Sequence, residues 1–104
     1  MGSPLEDFDW RVRCNALNVL SHLEPAALAQ HAGAVVARLE DSHWRVRMRA
    51  LLTLAKVDPA TLVQYAGAVV AKLEDSDWLV RSNALRTLGK LEPATLAQHA
   101  GAVV

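Results

Sequence analysis

The sequence has 104 residues with 11 basic and 11 acidic side chains, so its formal net charge is zero at neutral pH. This length accommodates one small domain, and the balanced charge argues against a protein that relies on its overall electrostatic field to bind nucleic acid or a membrane surface. Hydrophobic residues make up 52% of the chain but aromatic residues only 5%, so we expect an aliphatic core.

The start of the chain carries no sign of a targeting segment. The first residues, MGSP, lack the apolar region of a secretory signal, and MGS resembles a remnant of expression. No apolar run approaches the ~20 residues that span a membrane. Cys14 is the single cysteine and cannot form an internal disulfide, which favours a reducing, cytoplasmic location. We therefore expect no membrane contact.

A unit of 34 residues recurs along the chain. Tryptophan, proline and glycine mark the same places in each unit: Trp10, Trp44, Trp78, Pro25, Pro59, Pro93, Gly33, Gly67 and Gly101. Such self-similarity predicts a repeat protein. The predicted divisions, all within one domain, are residues 1–9 as an expression remnant and the end of a split repeat, 10–43 as repeat 1, 44–77 as repeat 2, and 78–104 as repeat 3, truncated in its second helix.

Each unit is predicted to contain two helices, named helix A and helix B. In the middle unit, apolar residues recur mostly three or four places apart, first at Val46, Ala50, Leu54 and Val57, then at Leu62, Ala66, Val69, Val70 and Leu73. The stretch HWRVRMRAL at residues 43–51 alternates like a β-strand, but over only six residues before the helical spacing takes over. Helix A is predicted over residues 10–23, 44–57 and 78–91, and helix B starts at the proline that follows.

The two helices of a unit form an antiparallel pair that cannot bury its apolar faces alone, so stacked pairs would share a continuous core. Gly33, Gly67 and Gly101 lie within helix B, where glycine costs ~1 kcal/mol relative to alanine. Two explanations stay open for these glycines, the close approach of a neighbouring helix and a local kink.

The order of residues in each unit resembles the short HEAT-like repeats, whose signature is Asp, then Val-Arg, then Ala-Leu and Leu. Around the start of the middle unit, the first of these are Asp41, just before it, and then Val46 and Arg47. Tetratricopeptide repeats also have 34 residues, but their proline closes the second helix, whereas here it falls between the helices. The tryptophan departs from the HEAT-like pattern. We expect it to pack at junctions between units, and the alternative is an exposed ladder of tryptophans that recognises a partner. The resemblance covers essentially the whole chain.

The resemblance implies an all-α fold, a right-handed α-solenoid of three stacked antiparallel helix pairs. Stacks of this kind present extended faces that bind proteins, so we expect a non-enzymatic scaffold for protein–protein interaction. The resemblance further implies that an aspartate and an arginine of each unit link neighbouring turns in a buried ladder, with Arg47 as the charged partner of Asp41. The predicted ladder residues are Asp7, Arg13, Asp41, Arg47, Asp75 and Arg81.

The helix A positions that vary between units include one stripe along the helices. Six of its residues are cationic and none is acidic; this basic stripe consists of Arg11, Arg45, Arg49, Lys56, Arg86 and Lys90. It suits either a solvated outer face that is free to vary or a binding face for an acidic protein or a nucleic acid backbone. Binding of nucleic acid or another polyanion is thus the alternative function. Such variation fits natural descent, and it also fits an engineered array with varied surface positions.

No set of residues predicts catalysis, a metal site or a cofactor. The sequence holds no phosphate-binding loop, catalytic triad or clustered carboxylate pair. His31 and His99 share one place two units apart, which is too far for a shared metal ion when helices pack ~8–10 Å apart. Cys14 aligns with Met48 and Ser82, so we expect it to pack rather than to act as a nucleophile.

The two ends of the chain predict self-association. Residues 3–104 make up three periods, and both ends cut through helix B. We expect a homo-oligomer in which apolar edges of two copies meet head to tail, closing a ring or growing a filament. The predicted contact residues are Leu5, Phe8 and Trp10 of one copy and Val103 and Val104 of the other. Pro4 favours the alternative, a monomer with frayed ends, because proline interrupts a helix.

Overall fold

The computed structural model describes residues 2–91. Seven α-helices and three short 3-10 turns make up this part of the chain, and it contains no β-strand. The helices are α1 (Trp10–Leu20), α2 (Pro25–Ala29), α3 (Ala32–Ala37), α4 (Trp44–Leu54), α5 (Pro59–Val63), α6 (Ala66–Ala71) and α7 (Trp78–Leu88). The 3-10 turns are Pro4–Glu6, Arg38–Glu40 and Lys72–Glu74.

The helices α1, α4 and α7 correspond to the predicted helix A of each unit. Each begins at a tryptophan because the residue before it accepts a hydrogen bond from a free backbone N–H of the first turn. Asp9 and Asp77 accept with a carboxylate oxygen at 2.9 Å, and His43 accepts with Nδ1 at 3.1 Å. All three helices end three residues before the predicted position, because the chain tightens there into turns such as Leu23 N to Leu20 O at 3.0 Å.

The predicted helix B is divided in the two units where it is described. In the first unit, α2 ends at Ala29 and α3 begins only at Ala32, because His31 leaves the helical region with φ −104° and ψ 3°. In the second unit, Tyr65 separates α5 from α6 in the same way. The chain then passes through a 3-10 turn to the next A helix. The expectation of one continuous helix B is therefore corrected to two short helices.

The glycines of helix B do not mark a close approach of helices. Gly33 and Gly67 are the second residues of α3 and α6, just after the break. A Cβ atom at Gly67 would meet no atom within 4 Å, and one at Gly33 would meet the Tyr65 hydroxyl at an ordinary 3.7 Å. The close-approach explanation is therefore wrong for these two glycines, and the helix is interrupted two residues before each of them. Gly101 lies outside the described residues.

A continuous aliphatic core runs through the stack. Helix α1 packs against α4 and α4 packs against α7, while α3 contacts α4 and α6 contacts α7. Among the largest fully buried side chains are Leu17, Leu28, Leu39, Leu51, Leu54, Leu62, Leu88, Val35, Val46, Val69 and Val80. Each of these stabilises the fold by about 1.5–3 kcal/mol on leaving water. The predicted all-α solenoid with an aliphatic core is confirmed for the described part of the chain.

Candidate interaction surfaces

Two arginines on A helices form bidentate ion pairs with an aspartate in the turn that precedes the next A helix. Arg13 donates from Nε and Nη2 to the two carboxylate oxygens of Asp41, at 2.8 and 2.9 Å. Arg47 repeats the arrangement on Asp75, at 2.9 and 3.1 Å. All four side chains are largely buried, and each pair spans 28 residues. Because the planar guanidinium matches the carboxylate, these pairs fix each A helix to the turn that precedes the next A helix.

The ladder differs from the sequence prediction in its partners. Arg47 was expected to form its ion pair with Asp41, but its Nη1 donates to the backbone carbonyl of Asp41, at 2.9 Å, and its ion pair goes to Asp75. Arg13 likewise donates to the backbone carbonyl of Asp7, at 2.7 Å. A guanidinium has donors on two edges, so one edge holds the turn before its own helix while the other reaches the turn before the next A helix.

The ion pairs keep both buried carboxylates charged. Burial alone would raise the pKa of Asp41, but hydrogen bonds from Arg13 and from the His43 N–H outweigh burial and hold this pKa below its ordinary value of 3.8. The pKa of Asp75 is lowered in the same way, because hydrogen bonds led by that from Arg47 outweigh burial. Both carboxylates are therefore ionised at neutral pH, which is the state that accepts two hydrogen bonds from one arginine.

An aromatic and cationic edge runs across the first junction. The ring of Trp10 stacks on that of His43, with centroids 4.0 Å apart and planes inclined by 16°. The Arg45 guanidinium lies 5.5 Å from the ring centroid of Trp10 and 5.2 Å from that of Trp44, within the range of a cation–π contact. Trp10 therefore lies at a junction between units, whereas Trp78 is exposed.

The basic stripe is less open than its sequence indicates. Arg11 forms an ion pair with Asp9, at 3.0 Å between Nη2 and Oδ2, and Arg45 is held over the tryptophan rings. Arg49 is half-buried. The other three members are exposed; they are Lys56, Arg86 and Lys90. Two of the six cationic groups are thus engaged by other side chains of the same molecule.

Apolar side chains remain exposed on the outer sides of α1 and α7. Val12 and Val19 are seven residues apart and share one face of α1, and Val19 is 67% exposed. Trp78 and Leu85 share one face of α7 in the same way, and they are 64% and 55% exposed. These two pairs are called the α1 outer face and the α7 outer face.

The α4 residues that correspond to Val19 and Leu85 in the repeat are buried inside the stack. Leu85 corresponds to Leu51, and Val19 corresponds to Thr53. Both Leu51 and Thr53 are fully buried on α4, which has an A helix on either side. The outer faces therefore have the form of surfaces that a further A helix can cover.

The predicted self-association residues differ in their exposure. Leu5 is only 9% exposed because the first 3-10 turn folds it against the core. Trp10 is half-buried by its stacking partner. Phe8 is fully exposed. The other predicted contacts, Val103 and Val104, lie outside the described residues.

The repeated helix pairs and their ladder agree with a comparison against protein families. A family model described as HEAT repeats matches residues 34–100, which is more than half of the chain. The chain belongs to the HEAT repeat family. HEAT repeats generally serve as protein-interaction scaffolds, and the family is typically non-enzymatic. No curated protein matches the sequence significantly.

In this HEAT-repeat stack, the ladder ends on two open groups. The Asp7 carboxylate accepts a hydrogen bond from Asp9 N at 2.9 Å, and Arg81 donates from Nη1 to the Asp75 carbonyl at 2.7 Å. Within residues 2–91, no arginine forms an ion pair with Asp7 and no carboxylate forms one with Arg81. Both side chains are exposed. One end of the ladder thus carries an acid and the other a base.

A metal site, a membrane span and a nucleophilic cysteine each have structural requirements that can be checked in the described residues of the HEAT repeats. Among residues 2–91, no group of three His, Cys, Asp or Glu side chains is placed to hold a metal ion. No helix in that same part is long and apolar enough to cross a membrane. Cys14 is half-buried, and burial raises the pKa of its thiol. A raised pKa disfavours the thiolate that a nucleophilic cysteine requires.

Sequence reasoning missed the residues of the outer faces, although the repeat itself carries the signal. Each of Val19 and Leu85 stands at a place that is buried in the middle HEAT repeat. Comparing every terminal place with its interior counterpart would have found them.

Proposed function

We propose that this HEAT-repeat chain is a non-enzymatic scaffold for protein–protein interaction, and that its two outer faces join copies of the chain head to tail. The observation that carries this proposal is that equivalent residues of two units differ in their exposure to solvent. Leu51 is fully buried, whereas Leu85 is 55% exposed. Adjoining exposed apolar side chains favour contact with another protein surface.

A junction between two copies brings the α7 outer face of one onto the α1 outer face of the other. The two internal contacts, α1 with α4 and α4 with α7, provide the pattern, because they join the same two sides of helix A. The two outer faces differ from each other, so the contact is heterologous. A series of copies therefore either closes into a ring or grows as a filament.

Static light scattering from micromolar to millimolar protein tests the proposed self-assembly. We expect the mean mass of the unmodified chain to rise with concentration. Leu85→Lys and Val19→Lys should each hold the chain at monomer mass, because an unpaired charge is costly to bury at the junction. Val63→Lys is the matched control, since Val63 is exposed on α5 away from both outer faces, and it should associate like the unmodified chain. A constant monomer mass up to millimolar protein would refute self-assembly.

Polyanion binding through the basic stripe is the second candidate function. It is supported by the exposure of Lys56, Arg86 and Lys90. It is opposed by the zero net charge of the chain and by the Asp9 carboxylate, which lies 3.0 Å from Arg11 and offsets its positive charge. Binding to a phosphate backbone depends on uncompensated positive charge, so the protein scaffold is the better-supported function.

A further inference from the structure

We infer that two copies join in the register of the internal ladder, so that Arg81 of one copy forms a bidentate ion pair with Asp7 of the next. This inference rests on the proposed self-assembly and specifies how the two outer faces meet. It also places Arg11 of the next copy over Trp78. The partner is therefore a second copy of this chain in one defined orientation.

The register follows from the spacing of the internal pairs. Each internal pair joins an arginine to an aspartate 28 residues ahead. The arginines of the series are Arg13, Arg47 and Arg81, and the aspartates are Asp7, Asp41 and Asp75. The first two arginines take the last two aspartates, which leaves Arg81 at one end of the series and Asp7 at the other. A second copy stacked with the same spacing brings these two together.

The Asp7 carboxylate already has the local arrangement of the paired aspartates. Its Oδ1 accepts the N–H of Asp9 at 2.9 Å. Asp41 and Asp75 each accept the N–H two residues ahead at the same distance of 2.9 Å. This bond orients the carboxylate while leaving lone pairs for a guanidinium. Docking therefore requires little reorganisation of the acceptor, which lowers the entropic cost of binding.

Arg81 is anchored on its own turn as the internal arginines are. Its Nη1 donates to the Asp75 carbonyl at 2.7 Å, and Arg47 Nη1 donates to the Asp41 carbonyl at 2.9 Å. Arg47 uses its Nε and Nη2 for the carboxylate of Asp75. The same two donors of Arg81 have no carboxylate partner within residues 2–91. Among the described residues, the donor edge of Arg81 is thus held in place and has no carboxylate partner.

The same register covers the exposed ring of Trp78. Arg45 lies 5.5 Å from the ring centroid of Trp10, which belongs to the preceding unit. Arg11 shares its repeat place with Arg45, and Trp78 shares its place with Trp10. Arg11 of the next copy therefore approaches Trp78 as a cation–π partner. The ion pair of Arg11 within its own copy is exposed, and such pairs contribute little that would oppose this contact.

The apolar part of the junction leaves no buried polar group without a partner. Inside the molecule, the Thr53 hydroxyl is shared between two carbonyls, that of Leu17 on the neighbouring helix at 3.2 Å and that of Arg49 on its own helix at 2.8 Å. At the junction the corresponding residues are Val19 and Leu85. Val19 has no hydroxyl, but the Leu85 carbonyl already accepts the N–H of Gly89 at 3.1 Å. The junction has one hydrogen bond fewer than an internal contact, so we expect reversible, concentration-dependent association.

Sedimentation velocity of the 104-residue chain with two charge reversals tests this register. Arg81→Asp sets an acid against Asp7, and Asp7→Arg sets a base against Arg81. Each variant alone should raise the dissociation constant at least about tenfold, because like charges meet. An equimolar mixture of the two restores an acid opposite a base at every junction between unlike chains, and it should associate like the unmodified chain. The matched controls, Arg86→Asp and Glu6→Arg, make the same charge changes at exposed positions.

The Asp7→Asn variant removes the negative charge at residue 7 without removing the hydrogen bond that this side chain accepts within its own turn. Its amide oxygen can still accept the Asp9 N–H while the negative charge is lost, so association should weaken at an unchanged unfolding temperature. The register is overturned if the single variants of Arg81 and Asp7 associate like the unmodified chain. It is also overturned if the mixture stays dissociated although both variants unfold at the unmodified temperature. Constant monomer mass of the unmodified chain is a different result, and it refutes the self-assembly itself.

Discussion

The side-chain hydroxyl of Thr53 lies 3.2 Å from the backbone carbonyl of Leu17, 36 residues earlier, and shares its one proton between that acceptor and the Arg49 carbonyl of its own helix, at 2.8 Å. The threonine is fully buried, and Thr87 makes the same contact with the carbonyl of Leu51, also at 3.2 Å. A polar contact thus recurs between neighbouring A helices at both described junctions. Because hydrogen bonds tolerate less displacement than apolar packing does, these contacts help to set the height of one helix against the next.

Replacing Thr53 by valine should lower the free energy of unfolding by about 1 kcal/mol, the typical net value of an intramolecular hydrogen bond. Valine nearly matches the shape of threonine. The Leu17 carbonyl also keeps its helical donor, Ser21 N at 3.0 Å, so no acceptor is left without a partner. Urea unfolding followed by circular dichroism measures the change. A variant as stable as the unmodified chain would mean that the hydroxyl contributes nothing.

The Arg47→Ala variant should lose about 1–3 kcal/mol of stability, because the largely buried Asp75 carboxylate loses its charged partner. Thermal unfolding is a sufficient measurement. Arg86→Ala removes an exposed arginine and is the control, with an expected change near zero. Identical melting curves for Arg47→Ala and the unmodified chain would show that the ladder does not stabilise the fold.

The lowered pKa values of Asp41 and Asp75 predict a loss of stability in acid. In the unfolded chain these groups have an ordinary pKa of 3.8, and in the folded chain their pKa values are lower. Their contribution is therefore complete above about pH 4 and is lost as the pH falls through the folded pKa values, because the unfolded state takes up protons first. Urea unfolding at pH 7 and at about pH 3 measures this difference.

The comparison variant for the acid effect carries Asp41→Asn and Asp75→Asn together. It should be less stable at neutral pH and should lose less stability between pH 7 and pH 3 than the unmodified chain, because two linked groups no longer titrate. An equal loss in both proteins would assign the acid sensitivity to other carboxylates, such as Asp9 and Asp58.

The A helices could be predicted from the sequence, whereas the division of helix B could not. Val46, Ala50 and Leu54 follow one helical face that the structure keeps intact. In helix B, the helical spacing from Leu62 to Leu73 continues across the break at Tyr65, so the apolar pattern contains no sign of it. The spacing of apolar residues indicates which side chains face the core. Two short helices can turn the same side towards the core as one continuous helix, so the spacing does not reveal the break.

The sequence indicates which aspartates and arginines form the ladder, but which of them pair depends on how successive A helices stack. Asp41 and Arg47 are only six residues apart and belong to one copy of the family signature, which suggests that they pair with each other. The packing of successive A helices decides the outcome, since it brings Arg47 Nε to within 2.9 Å of the carboxylate of Asp75 in the turn before α7. The open ends at Asp7 and Arg81 become visible only once this offset is known.

A scaffold that binds proteins should not retard DNA or RNA in a gel-shift titration at low salt. The reason is that Arg11 and Arg45 are already engaged and the net charge is zero. If retardation occurs, it should weaken steeply with salt. Replacing Arg45, Arg49 and Arg86 together by Glu should then abolish it, and that result would establish the basic stripe as the binding surface.

Fluorine NMR of the unmodified chain labelled with fluorotryptophan tests the head-to-tail junction most directly. Substitution of each tryptophan by phenylalanine assigns the resonances of Trp10, Trp44 and Trp78. Trp78 is 64% exposed in the single molecule and becomes covered by Arg11 of the next copy at the junction. Its resonance should therefore move as the protein is concentrated from micromolar to millimolar, while that of Trp44, inside the stack, stays in place. A Trp78 resonance that stays fixed over this range would contradict the junction.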